Sequence, residues 1–322
     1  MIQWQPSAKI DFLKKRAVIL QQIRTFFAQR NVLEVETPVL AKHGVTDVYL
    51  ENITARFVGP GFANGLELYL QTSPEFAMKR LLAAGSGCIY QICKAFRDDE
   101  SGRYHNPEFT MLEWYRIKFD AIKLMNEIDT LLQTILKCPP AQVLTYQQAF
   151  LQHLDFDPIA GNYQDLKQRL EQLSRSDLHQ LTDDYQILLQ LAFSELIEPR
   201  IGQSEPCFIY QFPAAQASLA KLNQDNPKVA ERFELYYKNM ELANGFHELT
   251  SANDQLKRFQ HDNEIRIKQG KVSKSIDEKF IAALQAGLPD CSGVALGVDR
   301  LVMLATGAKS IEEVISFNLH SC

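Results

Sequence analysis

The chain has 322 residues, 46% of them hydrophobic, enough to bury a full core as one large domain or two smaller ones. Its formal charge of -5 and pI near 5.9 exclude a broadly basic nucleic-acid-binding surface, although a local basic patch fits within that balance. Nowhere do about 18 apolar residues run together, so no membrane span is expected.

In chain order, Ser7 stands where it would cap a helix running to about Arg30, with Ile10, Leu13, Ala17, Leu20, Ile23 and Phe27 spaced for one apolar face. Residues 32–40, VLEVETPVL, read as a strand in which Pro38 limits hydrogen bonding to an edge or an interface. Strand patterns recur at 66–72, 88–96, 108–118, 207–213, 232–246 and 292–297. Several follow one another without an intervening helix. The expected fold class is therefore α+β, a mainly antiparallel sheet flanked by helices. Residues 139–206 differ: they open on Pro139-Pro140, are rich in Gln and Leu, and carry helical periodicity in YQDLKQRLEQL and YQILLQLAFSELIEP. They read as a helical insertion within a single domain over 1–322.

The six cysteines, at 88, 93, 138, 207, 291 and 322, include no C-x-x-C pair and accompany no histidine cluster at zinc-ligand spacing. Reduced thiols and a cytoplasmic protein are the expectation. The N-terminal MIQWQPSAKIDFLKKR also lacks the apolar core of a signal peptide.

Three segments carry chemistry. In ELANGFHELT (241–250), Asn244, Phe246 and Glu248 share one face of a strand, an amide, a ring and a carboxylate suited to an organic cation. Taken alone, such a run is more often an edge strand with its acids in water. His247 has the opposite parity and reads as structural. In FRDDESGRYHNPEFTMLEWYR (96–116), Phe109, Met111, Glu113 and Tyr115 share a face beneath a loop whose Arg97, Arg103 and His105 could neutralise phosphate. In GVALGVDRLVML (293–304), glycines precede Arg300 at the start of an apolar helix, where a guanidinium could stack on a purine.

Together with NVLEVETPVL, these segments resemble the three ordered motifs of class II aminoacyl-tRNA synthetases. TSPE (72–75), HNPEFTMLEWY (105–115), ELANGFHEL (241–249) and GLPDCSGVALGVDRL (287–301) resemble the lysyl branch. The resemblance implies the class II catalytic fold, ATP as substrate and magnesium. It implies that the catalytic Arg97 holds the substrate carboxylate and α-phosphate, and that Phe109 and the catalytic Arg300 sandwich adenine. Asp98, Asp99, His105, Asn106, Glu241, Leu242 and Gly297 would complete the ATP site, and Glu234 with Glu241 would hold magnesium. Ser73, Pro74, Glu75, Glu113, Tyr115, Asn244, Phe246 and Glu248 would form the lysine pocket. Aspartate- and asparagine-activating relatives place arginine at the position of Glu248, so a buried glutamate there favours an ammonium-bearing substrate. The family's Arg-x-Glu is here Arg97-Asp98-Asp99 followed by Glu100, so either Asp99 serves or the loop shifts by one residue.

The first motif also implies a homodimer through helix 7–30 and strand 32–40. With the catalytic helix beginning near residue 7, no anticodon-binding domain is expected ahead of it. The pattern then resembles the elongation factor P lysine ligases, stand-alone paralogues of lysyl-tRNA synthetase. That family implies (R)-β-lysine as the activated amino acid and elongation factor P, not tRNA, as the acceptor. The alternatives are a trimmed tRNA-charging enzyme and a non-catalytic regulatory subunit.

Overall fold

Helix α1 (Ile10–Ala28) starts after Lys9 and not at Ser7. The Ser7 amide donates to the Ser316 carbonyl (2.8 Å) and its hydroxyl accepts from the Asn318 amide (3.2 Å), so the expected cap is spent on the C-terminal segment. The buried stripe is rotated as well. Ile19, Ile23, Phe26 and Phe27 go inside, while Ile10 and Ala17 stay exposed. The rings decide this: Phe27 stacks on Tyr90 at 4.4 Å and meets Trp114 edge-on at 5.3 Å. Truncating such a core aromatic typically costs about 3–5 kcal/mol, more than several peripheral methyls contribute. The computed structural model describes residues 4–322; the first three residues of the expected domain lie outside it.

After α1 come β1 (Leu33–Glu34), β2 (Leu40–Ala41), β3 (Thr54–Gly59), β4 (Phe62–Leu70), α2 (Glu75–Ala83), β5 (Ile89–Phe96) and β6 (Glu108–Ile117). The strand expected over 32–40 is thus two short pieces. β1 pairs parallel with β5, whereas β2 pairs antiparallel with β4 in a separate three-stranded sheet. Pro38 lies in the crossing, where it has no ladder N–H to lose.

The segment Phe119–Leu249 forms a compact unit of its own. It holds α3 (Ala121–Leu136), β7 (Gln142–Thr145), α4 (Tyr146–Leu154), α5 (Tyr163–Gln172), α6 (Ser176–His179), α7 (Tyr185–Ala192), β8 (Cys207–Pro213), β9 (Val229–Tyr237) and β10 (Met240–His247). Side chains supply the missing helix-start acceptors: Asp120 caps α3, Thr145 and Gln148 form a capping box on α4, and Asn162 and Asp165 do so on α5. Strands run in the order β10-β9-β8-β7, with only β7 and β8 parallel. The expected run 232–246 is a hairpin. Lys238 (φ 52°) and Asn239 (φ 61°) make its two-residue turn, both left-handed, which matches the twist of the flanking strands. Tyr146, Phe150 and Phe193 from the helical segment pack with Phe212 and Tyr236 of the strands, with ring centroids 4.8 Å apart for Tyr146–Phe150 and 5.6 Å for Phe193–Tyr236.

The chain up to Lys118 and Thr250–Cys322 make the other compact unit. Its later elements are α8 (Ala252–Lys268), α9 (Glu278–Gly287), β11 (Cys291–Gly297) and α10 (Val298–Thr306). β11 pairs antiparallel with β6, giving the order β1-β5-β6-β11. Phe76 of α2 stacks on Phe280 of α9 at 4.5 Å and approaches Phe259 of α8 at 5.6 Å. Among the described residues no helix is long and apolar enough to cross a membrane. The fold is α+β and mostly antiparallel, as the consecutive strand patterns predict.

Candidate active site

Register fixes one face of β5, β6 and β11. Gln91, Cys93 and Ala95 lie opposite Glu113, Met111 and Phe109, and Gly293, Ala295 and Gly297 lie opposite Tyr115, Glu113 and Met111. The alternation read from the sequence therefore holds. α1 covers the other face, where Tyr90 and Trp114 point. Glu113 is buried and accepts from the Tyr115 hydroxyl at 2.7 Å. Burial, with the Glu113 carboxylate next, pushes the Cys93 thiol up to about 12, so it stays protonated and unreactive. Ser73 and Pro74 lead into α2, the Ser73 hydroxyl accepting from the Glu75 amide (3.3 Å). Glu75 is paired at 2.6 Å with Lys79, itself only 1% exposed. Its charge is already part-balanced within the protein.

Arg97 follows β5, its guanidinium 5.2 Å from the Phe109 ring centroid. Its ion-pair partner is Glu100 (3.3 Å) and not Asp99. Asp98 and Asp99 are both exposed, and the loop turns sharply at Asp99, whose φ is 63°. Asn106 is buried with its amide engaged at both ends, donating to the Glu108 carbonyl (2.7 Å) and accepting from the Leu319 amide (3.1 Å). It pins the C-terminal segment beneath the loop.

Gly297 precedes α10, and Arg300 reaches from its first turn to the Tyr104 carbonyl (3.3 Å) and His105 Nε2 (2.7 Å). Arg300 has only donors, so His105 must be the acceptor and is neutral in this contact. Partial burial, then the Arg300 cation, holds the imidazole below the ordinary histidine range, even though the residue as a whole is exposed. Protonation would remove the acceptor and set two cations side by side. If Arg300 serves the nucleotide, KM for ATP is expected to stay flat through the ordinary histidine range and to rise only as pH falls below it, because the shift is downward. His105→Gln, which accepts but does not titrate, should flatten that profile; an identical profile in the variant would remove His105 from this role.

In the other unit the decisive feature is a β-bulge. Glu241 lies opposite Tyr236, but Ala243 lies opposite Leu235, so Leu242 is the extra residue. Strict alternation puts Glu241 and Asn244 on opposite faces; the bulge puts both on the face of Tyr236, Glu234 and Arg232. Phe246, opposite Arg232, continues it. Glu234 accepts from Arg232 (2.5 Å), Asn244 Nδ2 (3.4 Å) and the Tyr236 hydroxyl. Burial opposes the Arg232 charge, yet Glu234 and Glu241 more than offset it and raise its pKa, while burial and the same two carboxylates push the Tyr236 phenol far up. Asn244 Oδ1 is buried with no donor among the described residues.

Glu248 is 1% exposed, and its backbone bridges to Ala220 rather than to β9. The segment carrying Ala217 and Ala220 packs with Ala230 behind the Phe246 ring. His247 points the other way, 2.8 Å from Lys221 Nζ. The odd parity assigned to it is correct.

Among the described residues, no three His, Cys, Asp or Glu cluster to hold a metal on their own. Glu234 of β9 and Glu241 of β10, on one face of the hairpin, nonetheless fit magnesium, which takes one or two protein carboxylates and completes its shell with phosphate and water.

The chain matches the family of tRNA synthetases class II (D, K and N) over residues 2–321. It belongs to that family. It is 56% identical over 316 residues to the elongation factor P–(R)-beta-lysine ligase of Salmonella typhi, covering 98% of this chain and 97% of that one. It is 55% identical, with the same coverage, to the ligases of that name from Salmonella paratyphi B and Salmonella heidelberg.

Within this class II chain, sequence reasoning missed Arg232, Tyr236, Lys79 and the Arg16–Asp299 pair. Arg232, Glu234 and Tyr236 alternate in RFELY, so the period of two could have found them. Lys79 stands four residues after Glu75 on a helix, a pairing distance. Arg16 and Asp299 are 283 residues apart, and no local signal joins them.

Proposed function

We propose that this chain is an ATP-dependent ligase that activates (R)-β-lysine, or lysine, and transfers it to the side-chain amine of a lysine in elongation factor P. The observation that carries the reading is the match at 55–56% identity, over 98% of this chain and 97% of theirs, to proteins named for that activity. In the first step a carboxylate oxygen of the amino acid attacks the α-phosphorus of ATP, the bond to the β-phosphate bridge breaks, and pyrophosphate leaves. In the second, a neutral acceptor amine attacks the acyl carbon, the bond to AMP breaks, and the nitrogen loses a proton.

Arg97 would hold the substrate carboxylate and α-phosphate. Its Nε is buried and has no acceptor among the described residues, which suits a donor kept for ligand oxygens. Phe109 and Arg300 would hold adenine between them. The atoms nearest a Cβ on Gly297 would be those of the Arg300 stem, at an ordinary 3.7 Å, so no close contact among the described residues demands glycine there; a closely approaching nucleotide would. Bound magnesium would neutralise charge growing on pyrophosphate, and Glu234 and Glu241 are the residues that would hold it. Glu113, Tyr115, Asn244, Phe246 and Glu248 would take the lysine, with Asn244 Oδ1 receiving an N–H and Glu248 facing an ammonium.

The same reading makes the whole chain one catalytic unit that works as a homodimer through its first motif. The exposed apolar side chains of Ile10, Val18, Leu33 and Leu40 support that interface. It also places the enzyme in the cytoplasm with its acceptor, in keeping with six free cysteines.

The test is to incubate the protein with ATP, magnesium and (R)-β-lysine or lysine, then offer purified elongation factor P or tRNA. Elongation factor P is expected to gain the mass of one lysyl unit. Charged tRNA beside unmodified elongation factor P would overturn the acceptor assignment, and no adenylate with either amino acid would leave the non-catalytic alternative.

A further inference from the structure

The two residues proposed to hold adenine each have an immediate neighbour tied to a single guanidinium. Asp299, next to Arg300, is 1% exposed and uses both carboxylate oxygens: Oδ1 accepts from Arg16 (2.6 Å) and Oδ2 from the Thr110 backbone amide (2.7 Å). Thr110, next to Phe109, accepts from the other terminal nitrogen of Arg16 through its hydroxyl (2.7 Å). The first terminal nitrogen also lies 3.4 Å from the Val314 carbonyl. One planar fork thus joins α1, β6, the start of α10 and the C-terminal segment. It does so on the face of β6 opposite Phe109, since adjacent strand residues point to opposite sides.

We infer that Arg16 is a positioning residue for the nucleotide: it sets the spacing between Phe109 and Arg300 by fixing Thr110 and Asp299, and touches no substrate itself. The fork matters as much as the charge. Arginine presents two terminal nitrogens in one plane, so it reaches Asp299 and the Thr110 hydroxyl together; a lysine ammonium on a flexible stem cannot hold both at fixed separation. Asp299 is a poor place to lose the contact, because its carboxylate is buried. The effect should fall on ATP and spare the amino acid, because the residues assigned to lysine, Glu113, Tyr115, Asn244 and Glu248, are neighbours of neither Thr110 nor Asp299 in the chain.

The inference rests on the assignment of Phe109 and Arg300 to adenine. It is tested by amino-acid-dependent pyrophosphate exchange, measuring KM for ATP and for the amino acid separately in wild type, Arg16→Met, Arg16→Lys and Thr110→Val. Arg16→Met is expected to raise KM for ATP roughly tenfold or more with KM for the amino acid within about twofold, Arg16→Lys to recover part of the loss, and Thr110→Val, which deletes one hydrogen bond, to cost about threefold. If Arg16→Met does not fold, as read by near-ultraviolet circular dichroism, the two milder variants carry the test. Unchanged KM for ATP in folded variants overturns the inference, as does an equal rise for both substrates. Absence of exchange in wild type would instead count against the functional reading. Calorimetric titration with ATP then separates the two: equal affinity in wild type and Arg16→Lys overturns the positioning role, and weaker affinity in the variant supports it.

Discussion

Glu248→Gln is expected to lower lysine-dependent pyrophosphate exchange by two to three orders of magnitude while leaving ATP affinity within about twofold. The substitution keeps shape and removes one charge from a side chain that is 1% exposed. An ammonium delivered to that position would then be buried opposite a neutral amide, and breaking a buried ion pair by removing one partner typically costs about 3–5 kcal/mol. At about 1.4 kcal/mol per tenfold change, that is the stated loss. The split between substrates makes the result specific. Phe109, Arg300 and Arg97, assigned to the nucleotide, belong to other elements and keep their contacts. Measuring exchange against lysine and ATP in turn checks it: a matched loss in both would mean that Glu248 supports the unit's packing and does not bind the amino acid.

The fold was legible wherever side chains alternate cleanly on a strand. β5, β6, β8 and β11 appear within a residue or so of the positions their patterns predict, because each buries at least one face and a one-residue slip would turn every side chain over. β3 was not anticipated; its burial is mostly exposed, so its sequence carries no apolar alternation to read. β7 was hidden in a segment read as wholly helical, since four residues are too few to show a period. The turn at Lys238-Asn239 has no glycine to announce it, and left-handed lysine is uncommon enough that one long strand was the natural reading.

The candidate site was legible by residue and less so by geometry. The shared face of Asn244 and Phe246 follows from parity alone. Glu241 does not, because an extra residue at Leu242 reverses the alternation, and nothing in ELAN marks a bulge. The Arg16–Asp299–Thr110 contact lies further from reach. It is made by tertiary packing between the two ends of the chain, and neither propensity nor spacing encodes which distant carboxylate a helical arginine will meet.

Arg97→Ala is expected to reduce the rate of adenylate formation by about two to three orders of magnitude, the loss typical of removing a preorganised donor to developing charge. Arg97 is only partly exposed and lies against the Phe109 ring, so it is held before substrate arrives. Its pairing with Glu100 is a contact between two part-exposed side chains and is worth little on its own, so ligand oxygens can replace that carboxylate cheaply. Arg97→Lys keeps the charge but loses the planar group lying against Phe109 and the Nε donor, and should recover no more than about a tenth of the wild-type rate. Glu100→Gln frees the guanidinium from its partner and should leave the rate within about threefold. Single-turnover formation of the adenylate, with both substrates saturating, distinguishes these outcomes from binding effects. A defect in Arg97→Ala that disappears at high lysine concentration would assign Arg97 to ground-state binding of the amino acid, whereas a rate defect that persists at saturation places it on the charge that moves when pyrophosphate leaves.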